Sequence, residues 1–446
     1  MVLPLEVFAR RRRAFLERIG PRAAAVFPAA PVAARSNDVE YRYRQDNDLL
    51  YLTGFQEPEA VCLLLPGHAK EEFILFVQPR DPERETWTGG RAGVEGAMEI
   101  FGAQMAYTID KLDEKISEHV SERDQLYYAF GRNTAFNDHV VRWMRQWQLS
   151  RPRSGTGPVA VLDPGEVLHE MRLRKTEEEL ACMRQAIAIS AEAHEAAVRA
   201  ARGGVYEHEI EALLDYTFRR RGGAGPAYPS IVASGPNATV LHYTANDREL
   251  QSGELLLIDA GAEYGGYCAD ITRTFPLAAR FTPAQRGIYD LVLRAQLAAI
   301  EVIGPGAHYE DTHKRAVEVL VDGLLDLGLL TGDRQEIISK ELYKPFYMHR
   351  TSHWLGMDVH DVGKYKVEGS SRLLEPGIVM TVEPGIYIGA DRTDVDPQYR
   401  GIGVRIEDDV LVTPEGHEVL SAAVPKDPRD IEALRSSLLP LGKGFG

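Results

Sequence analysis

Four stretches of this 446-residue chain have the β-branched, Gly- or Pro-bounded composition of strands, yet each carries an acid inside or at the end of its apolar portion. They are GELLLIDAGA with Asp259, YCADITRTF with Asp270, GIVMTVEPGIYI with Glu383 and GVRIEDDVLVT with Glu407. Acids seldom occupy such places unless a partner compensates their burial. Asp259 and Asp270 are equidistant from the pair Tyr264 and Gly265, so a tight hairpin turning on those two residues would set the aspartates directly across from each other. At about 5 Å and an effective dielectric near 20, two such charges repel by roughly 3 kcal/mol, a large share of a domain's net stability. A shared proton, a basic side chain or a metal cation can offset that repulsion.

The sequence points to the third remedy. Four carboxylates balance two divalent cations, and two ions about 3.5 to 4 Å apart form a recurring hydrolytic device in which a bridging water becomes hydroxide near neutral pH. One histidine commonly completes such an oxygen-rich set. MHRTSHWLGMDVHDVG concentrates His349, His353 and His360 in a chain holding 13 histidines. Isolated acids and histidines elsewhere are read as structural: Asp408 and Asp409 as a solvated pair at a strand end, and Asp358 and Asp361 as flanks of the histidine segment. His194, His208, His308 and His313 receive no role, and His208 with Glu209 lacks the second histidine of a zinc-protease helix. GAGPAYPS lacks the strand, loop and helix order of a phosphate cradle, and EYGGYCAD reads as a hairpin turn.

Composition excludes other classes. With 51 basic and 66 acidic residues the net charge is −15, against the clustered cations that nucleic-acid binding needs. The 44% apolar content and the length imply a large core and two domains. Cys62, Cys182 and Cys268, each beside apolar residues, read as buried thiols in a reducing compartment. The basic run Arg10 to Arg13 is followed by no apolar stretch of signal-peptide length. With Glu6 and Glu17 alongside, it reads as a surface helix rather than a transit peptide or membrane-surface helix. Nowhere do about 18 consecutive apolar residues occur, so no membrane span and a cytoplasmic location are expected.

From Val26 to about Phe130, apolar runs alternate with turn-rich and helical stretches, as in an α/β domain. Pro and Gly cluster from Ser150 to Glu166, which marks the change of domain. The expected division is an N-terminal α/β domain over 1–168 and an α+β domain with antiparallel strands over 169–446. Thr176 with Glu179 forms a capping box opening a helix to about Ala201, and Thr282 with Pro283 opens another. Further helices are expected at 206–221 and 308–328.

Taken together, IDAGAEYGGYCADITRTF, HWLGMDVHDVG, TVEPGIYI and GVRIEDDVLVT resemble the metal-binding motifs of the aminopeptidase P and prolidase family. MRLRKTEEELACMRQA resembles the segment entering that family's catalytic domain, and YRYRQDNDLLYLTGFQEPEAVCLLLPG its N-terminal domain. The resemblance implies a pita-bread catalytic domain preceded by a smaller, creatinase-like α/β domain. It implies that Asp259 and Asp270 bind one ion and Asp270, His353, Glu383 and Glu407 a second, with Asp270 and Glu407 bridging. Two Mn(II) are the implied pair, in keeping with a carboxylate-rich donor set, with Co(II) or Zn(II) as substitutes.

The implied reaction is hydrolysis of the bond between an N-terminal residue and a following proline in peptides. A bridging hydroxide would attack the carbonyl, Glu383 would move the proton towards the leaving nitrogen and His360 would steady the oxyanion. The resemblance also has Asp259 receiving the substrate amine, His242 in TVLHYTAND contacting substrate, and His349, Arg405 and Tyr387 lining the proline pocket. Trp87 would reach a neighbouring subunit's site in a homo-oligomer, dimer or tetramer. A prolidase acting only on dipeptides would share the ligands, but the N-terminal domain and length resemble bacterial aminopeptidase P more. Retention of all five ligands argues against a creatinase-like hydrolase without metal and against a metal-free peptide-binding scaffold. A dedicated pocket suits the bond, because an Xaa-Pro link is a tertiary amide whose ring fixes φ and removes a donor.

Overall fold

The computed structural model describes residues 3–68 and 71–436, and the chain divides into two compact units, 1–171 and 172–446. The first unit is built on a six-stranded sheet of β1 (Ala23–Pro28), β2 (Val61–Leu64), β3 (Phe73–Val77), β4 (Met105–Thr108), β5 (Gln125–Tyr127) and β6 (Ala160–Leu162), in the order β4-β3-β2-β1-β5-β6. The β1–β2 and β2–β3 pairs are antiparallel and the others parallel. Every residue of β2 and β3 is buried, which is why these strands read as unbroken apolar runs instead of alternating.

Two expectations for this unit change. The Pro- and Gly-dense stretch 150–166, read as the change of domain, lies inside the first unit: helix α2 (Thr134–Ser154) continues through Pro152, and β6 supplies the edge of the sheet. Helix α1 (Leu5–Ile19) does carry the arginine run, but only part of it faces solvent. Arg11 and Arg12 are buried, donate to the carbonyls of Tyr51 (3.1 Å) and Leu52 (2.8 Å), and stack on the rings of Tyr51 and Phe73. A guanidinium can enter an interior this way because it donates to main-chain carbonyls while its plane covers an aromatic face.

In the second unit every strand pair among the described residues is antiparallel. Its main strands are β7 (Gly225–Pro226), β8 (Ile231–Ser234), β9 (Leu255–Asp259), β10 (Ala262–Tyr264), β11 (Tyr267–Cys268), β12 (Thr272–Pro276), β13 (Val379–Val382), β14 (Gly385–Ile388), β15 (Ile402–Arg405), β16 (Asp408–Thr413) and β17 (Gly416–Val419). They form the ladders β8-β9-β12, β11-β10-β7, β13-β16-β17 and β14-β15. Helices α3 (Glu177–Ala200), α4 (Glu207–Arg220), α5 (Pro283–Glu301) and α6 (Tyr309–Asp326) contribute to one apolar core that includes Ile210, Leu256, Ile288 and Leu320. At the start of α3 the Thr176 N–H donates to the Glu179 carboxylate (3.0 Å), whose other oxygen accepts from Tyr267 and so ties the helix to β11. Thr282 and Gln285 cap α5 reciprocally. Cys62, Cys182 and Cys268 are free and buried. No helix among the described residues is long and apolar enough to cross a membrane.

The hairpin between Asp259 and Asp270 turns one residue later than the sequence suggests. Gly265 and Gly266, with φ of 61° and 84°, form its tip, so Tyr264 pairs with Tyr267 and Asp259 lies opposite Thr272, not opposite Asp270. Such a turn needs positive φ at both central residues, which two glycines adopt without the strain that Tyr264 would suffer. Lower in the same hairpin, a Cβ on Gly261 would lie 1.7 Å from the Ala269 carbonyl oxygen. Only a residue without a side chain lets the arms carrying the two aspartates come so close.

Candidate metal centre

Strand ends deliver the acids. Asp259 terminates β9, Asp270 lies two residues before β12, Glu383 follows β13 directly, and Glu407 sits between β15 and β16. All four line one cavity of 860 Å³, together with His242, His349, His353, His360 and Arg405. His353 is pinned along β13 by its N–H on the Thr381 hydroxyl (3.1 Å). Its Nδ1–H donates to the Trp354 carbonyl (3.0 Å), which leaves Nε2 facing Asp270 Oδ2 at 3.3 Å and Glu383 Oε1 at 3.6 Å. Asp270, His353 and Glu407 each offer a donor atom within 4.8 Å of the others.

Arg405 organises the opposite side. Buried to 3% exposure, it donates to Asp259 Oδ2 (2.6 Å), to the Thr272 hydroxyl (3.1 Å) and to the Tyr387 hydroxyl (3.0 Å). Thr272 in turn donates to Glu407 Oε2 (2.6 Å). Tyr387 donates to His349 Nε2 (2.8 Å), and His349 Nδ1–H donates to the Arg350 carbonyl (2.8 Å). Tyr387 thus stands behind His349. The ring of His360 meets that of His353 edge-on at 4.4 Å. Trp87 belongs to the first unit, on the short helix Pro82–Thr88, and is 88% exposed.

Sequence reasoning missed Tyr228. Its hydroxyl lies 2.6 Å from Asp259 Oδ1 and 2.5 Å from Asp270 Oδ1, between the two carboxylates. It sits in GAGPAYPS, whose glycines and prolines signal only a turn; its closeness to the acids arises because β7 pairs with β10. Asp408 and Asp409 are not a solvated pair, for both are fully buried. Asp408 accepts from Arg273 (2.7 Å), Gln296 (2.7 Å), Ser421 (2.6 Å) and Lys426 (2.5 Å), while Asp409 accepts the Asp270 N–H (3.2 Å). Asp361 is buried too, bound by Arg172 (2.7 Å) and Lys175 (3.0 Å), and Asp358 shares Arg172. Asp408, Asp361 and Asp358 have basic partners distant in sequence, which local reading does not reveal.

The electrostatics define what the cluster lacks. Burial, and then the neighbouring acids, push the Glu383 carboxyl up to about 7 and Glu407 well above its usual range. Asp270 is raised by burial and by Asp259. Burial, the largest single influence on Asp259, acts in the same sense, but Arg405 together with the hydrogen bonds from Tyr228 and Thr272 holds that carboxyl low. Burial alone would lower His353, yet Asp270 and Glu383 raise it to about 9. Without added cations Glu383 and Glu407 hold their protons more tightly than ordinary carboxylates do. A donor set of four carboxylates and one imidazole fits hard divalent cations.

An oxygen-rich centre in a cleft between antiparallel strands defines a hydrolase that works with metal ions. Residues 181–414 match metallopeptidase family M24, and residues 8–127 match the aminopeptidase P, N-terminal domain. The chain belongs to family M24, with an N-terminal α/β domain of the aminopeptidase P type followed by the pita-bread catalytic domain. It is 44% identical to the Xaa-Pro aminopeptidase of Escherichia coli K12 over 96% of this chain and 97% of that protein. The structure of Pseudomonas aeruginosa aminopeptidase PepP superposes with a TM-score of 0.96 at 49% identity, covering 98% of this chain and 99% of that one. E. coli aminopeptidase P with the inhibitor Pro-Leu matches with a TM-score of 0.93 at 42% identity, over 98% and 99% of the two chains.

Proposed function

We propose that this chain is an Xaa-Pro aminopeptidase that hydrolyses the bond between any N-terminal residue and a following proline in peptides, using two divalent metal ions. The observation that carries the reading is the convergence of Asp259, Asp270, His353, Glu383 and Glu407 in one cavity, in a chain similar along nearly its whole length to an Xaa-Pro aminopeptidase. Asp259 and Asp270 would hold one ion and Asp270, His353, Glu383 and Glu407 the other, with Mn(II) the expected metal and Co(II) or Zn(II) able to replace it. When bound, such a pair lowers the pKa of water and polarises the scissile carbonyl.

The chain's own residues supply the rest. Asp259, kept ionised by Arg405, receives the substrate's free amine. Glu383, a carboxylate in the cavity beside the ion site, would carry the proton to the leaving nitrogen. His360 steadies the oxyanion, and His242 contacts the peptide. His349 and Arg405 line the proline pocket with Tyr387 behind them, and the hydrogen bonds from Arg405 through Tyr387 to His349 hold that wall in one arrangement. The working form is a cytoplasmic homo-oligomer, dimer or tetramer, in which Trp87 reaches a neighbouring copy's site.

The deciding experiment compares Ala-Pro-Ala with Ala-Pro, with and without added Mn(II), alongside metal analysis of the purified protein. Tripeptide hydrolysis that depends on metal is expected. Activity confined to the dipeptide would make the chain a prolidase, and absence of both metal and turnover would leave a peptide-binding scaffold.

A further inference from the structure

The wall that carries His242 is the segment 235–248, which leaves β8 at Ser234 through a 3-10 turn, Gly235–Thr239, and continues as a loop. Leu241, His242 and Thr244 from this loop line the cavity. No side-chain hydrogen bond among the described residues holds the His242 ring, so the path of the backbone decides where that ring stands. The path is fixed from behind by Glu207, the first residue of α4, which is fully buried and outside the cavity lining. One carboxylate oxygen accepts from the Ser234 N–H (2.7 Å), the Ser234 hydroxyl (2.7 Å) and Asn237 Nδ2 (3.2 Å). The other accepts from the Tyr243 hydroxyl (2.8 Å) and the Arg248 N–H (3.0 Å). The donors come from both ends of the loop and from the neighbour of His242. Five donors and a position at a helix N-terminus compensate the buried carboxylate, and the Arg248 guanidinium, bonded to the Ser234 hydroxyl (2.8 Å), adds a nearby positive charge.

A second clamp acts beside it. Asn246, also buried, accepts the Val232 N–H (3.0 Å) and donates to the Ser230 carbonyl (2.9 Å), taking the place of a ladder partner along β8. The loop is thus tied at 234, 237, 243, 246 and 248, around a histidine left to face the cavity. Charge-assisted hydrogen bonds in a buried setting are strong and directional enough to hold a loop in one conformation.

We propose that Glu207 is a positioning residue that sets His242 against the substrate, an inference that rests on the reading of His242 as a substrate contact. It acts on binding and not on the metal centre. Glu207→Gln keeps the shape and one acceptor oxygen but turns an amide N–H₂ towards donors, while Tyr243→Phe removes a single donor. For Ala-Pro-Ala, Glu207→Gln should raise KM about tenfold and Tyr243→Phe about threefold, with kcat within about twofold, the scale of one charge-assisted hydrogen bond lost or weakened. Metal content should stay unchanged. Because Glu207 acts through His242, the double variant Glu207→Gln/His242→Ala should be no worse than His242→Ala alone.

A fall in kcat at constant KM, loss of metal, or effects that multiply in the double variant would overturn the proposal. If His242→Ala raises KM but Glu207→Gln does not, the positioning role alone is refuted. If His242→Ala changes neither constant, the role of His242 fails and the inference with it. A wild-type chain inert on the tripeptide would refute the proposed function itself and take the inference with it. Should Glu207→Gln fold poorly, Tyr243→Phe decides on the same readings.

Discussion

Asp361→Asn isolates the ion cluster beneath the histidine segment. The Asp361 side chain is 1% exposed, as are its partners Arg172 and Lys175, with contacts of 2.7 and 3.0 Å. Asparagine has nearly the same shape but no charge, and it must turn an N–H₂ towards one of two buried cations. Arg172 would keep Asp358, whereas Lys175 would keep only the Leu173 carbonyl at 3.3 Å. Removing one member of a buried pair costs roughly 3 to 5 kcal/mol, and the surviving Arg172 contact puts this case near about 3 kcal/mol. For a unit of this size that corresponds to a melting point lower by about 6 °C.

The pH dependence has a definite sign. Burial would raise the Asp361 carboxyl, but Lys175 and then Arg172 hold it below the usual carboxylate range. A depressed pKa contributes stability that is fully present above the unfolded value, near about 3.9, and is lost as the pH falls through the folded one. The gap in melting point between wild type and variant should therefore be constant from about pH 5 to 8 and close below about pH 4. Because His360 directly precedes Asp361 in the chain, turnover should drop as well. Thermal melts across that range provide the test. A gap under about 1 kcal/mol at pH 7, or one that widens in acid, would refute the reasoning.

Asp270→Asn or Glu407→Gln should abolish turnover and strip the metal, and activity regained on adding Mn(II) would contradict their shared-ligand role. His360→Ala should lower kcat by about 10² to 10³ with the metal retained, as metal analysis would show; a metal-free variant would instead make His360 part of the ion site. Gly261→Ala places a Cβ 1.7 Å from the Ala269 carbonyl oxygen. It should destabilise the catalytic unit by several kcal/mol and reduce metal binding, whereas unaltered melting and metal content would mean that the hairpin arms can part without consequence.

The acids of the site were legible because a carboxylate in an apolar strand is rare enough to demand an explanation. The same logic failed for Asp408 and Asp409. Standing at the start of a strand beside Glu407, they looked solvated, and only the fold brings Arg273, Gln296 and Lys426 to Asp408. The hairpin was legible as a motif but not to the residue, since the distance between Asp259 and Asp270 favours a turn at Tyr264–Gly265, whereas backbone sterics favour Gly265–Gly266. Arg11 and Arg12 reversed a rule of thumb, because aromatic rings and free carbonyls made an interior hospitable to guanidinium groups. Tyr228 and Glu207 carried no local signal at all. Each matters only through groups that pairing between distant strands, or a loop folded back on a helix, brings into reach.

The hydrogen bonds running from Arg405 through Tyr387 and His349 to the Arg350 carbonyl all point one way. Arginine can only give and a main-chain oxygen can only receive, so every proton between them has a fixed address and the imidazole has both nitrogens spoken for. What His349 still offers to a neighbour is carbon. A pyrrolidine ring, which has no amide hydrogen to surrender, forfeits nothing against such a surface, whereas a secondary amide pressed there would be left with a donor and no acceptor.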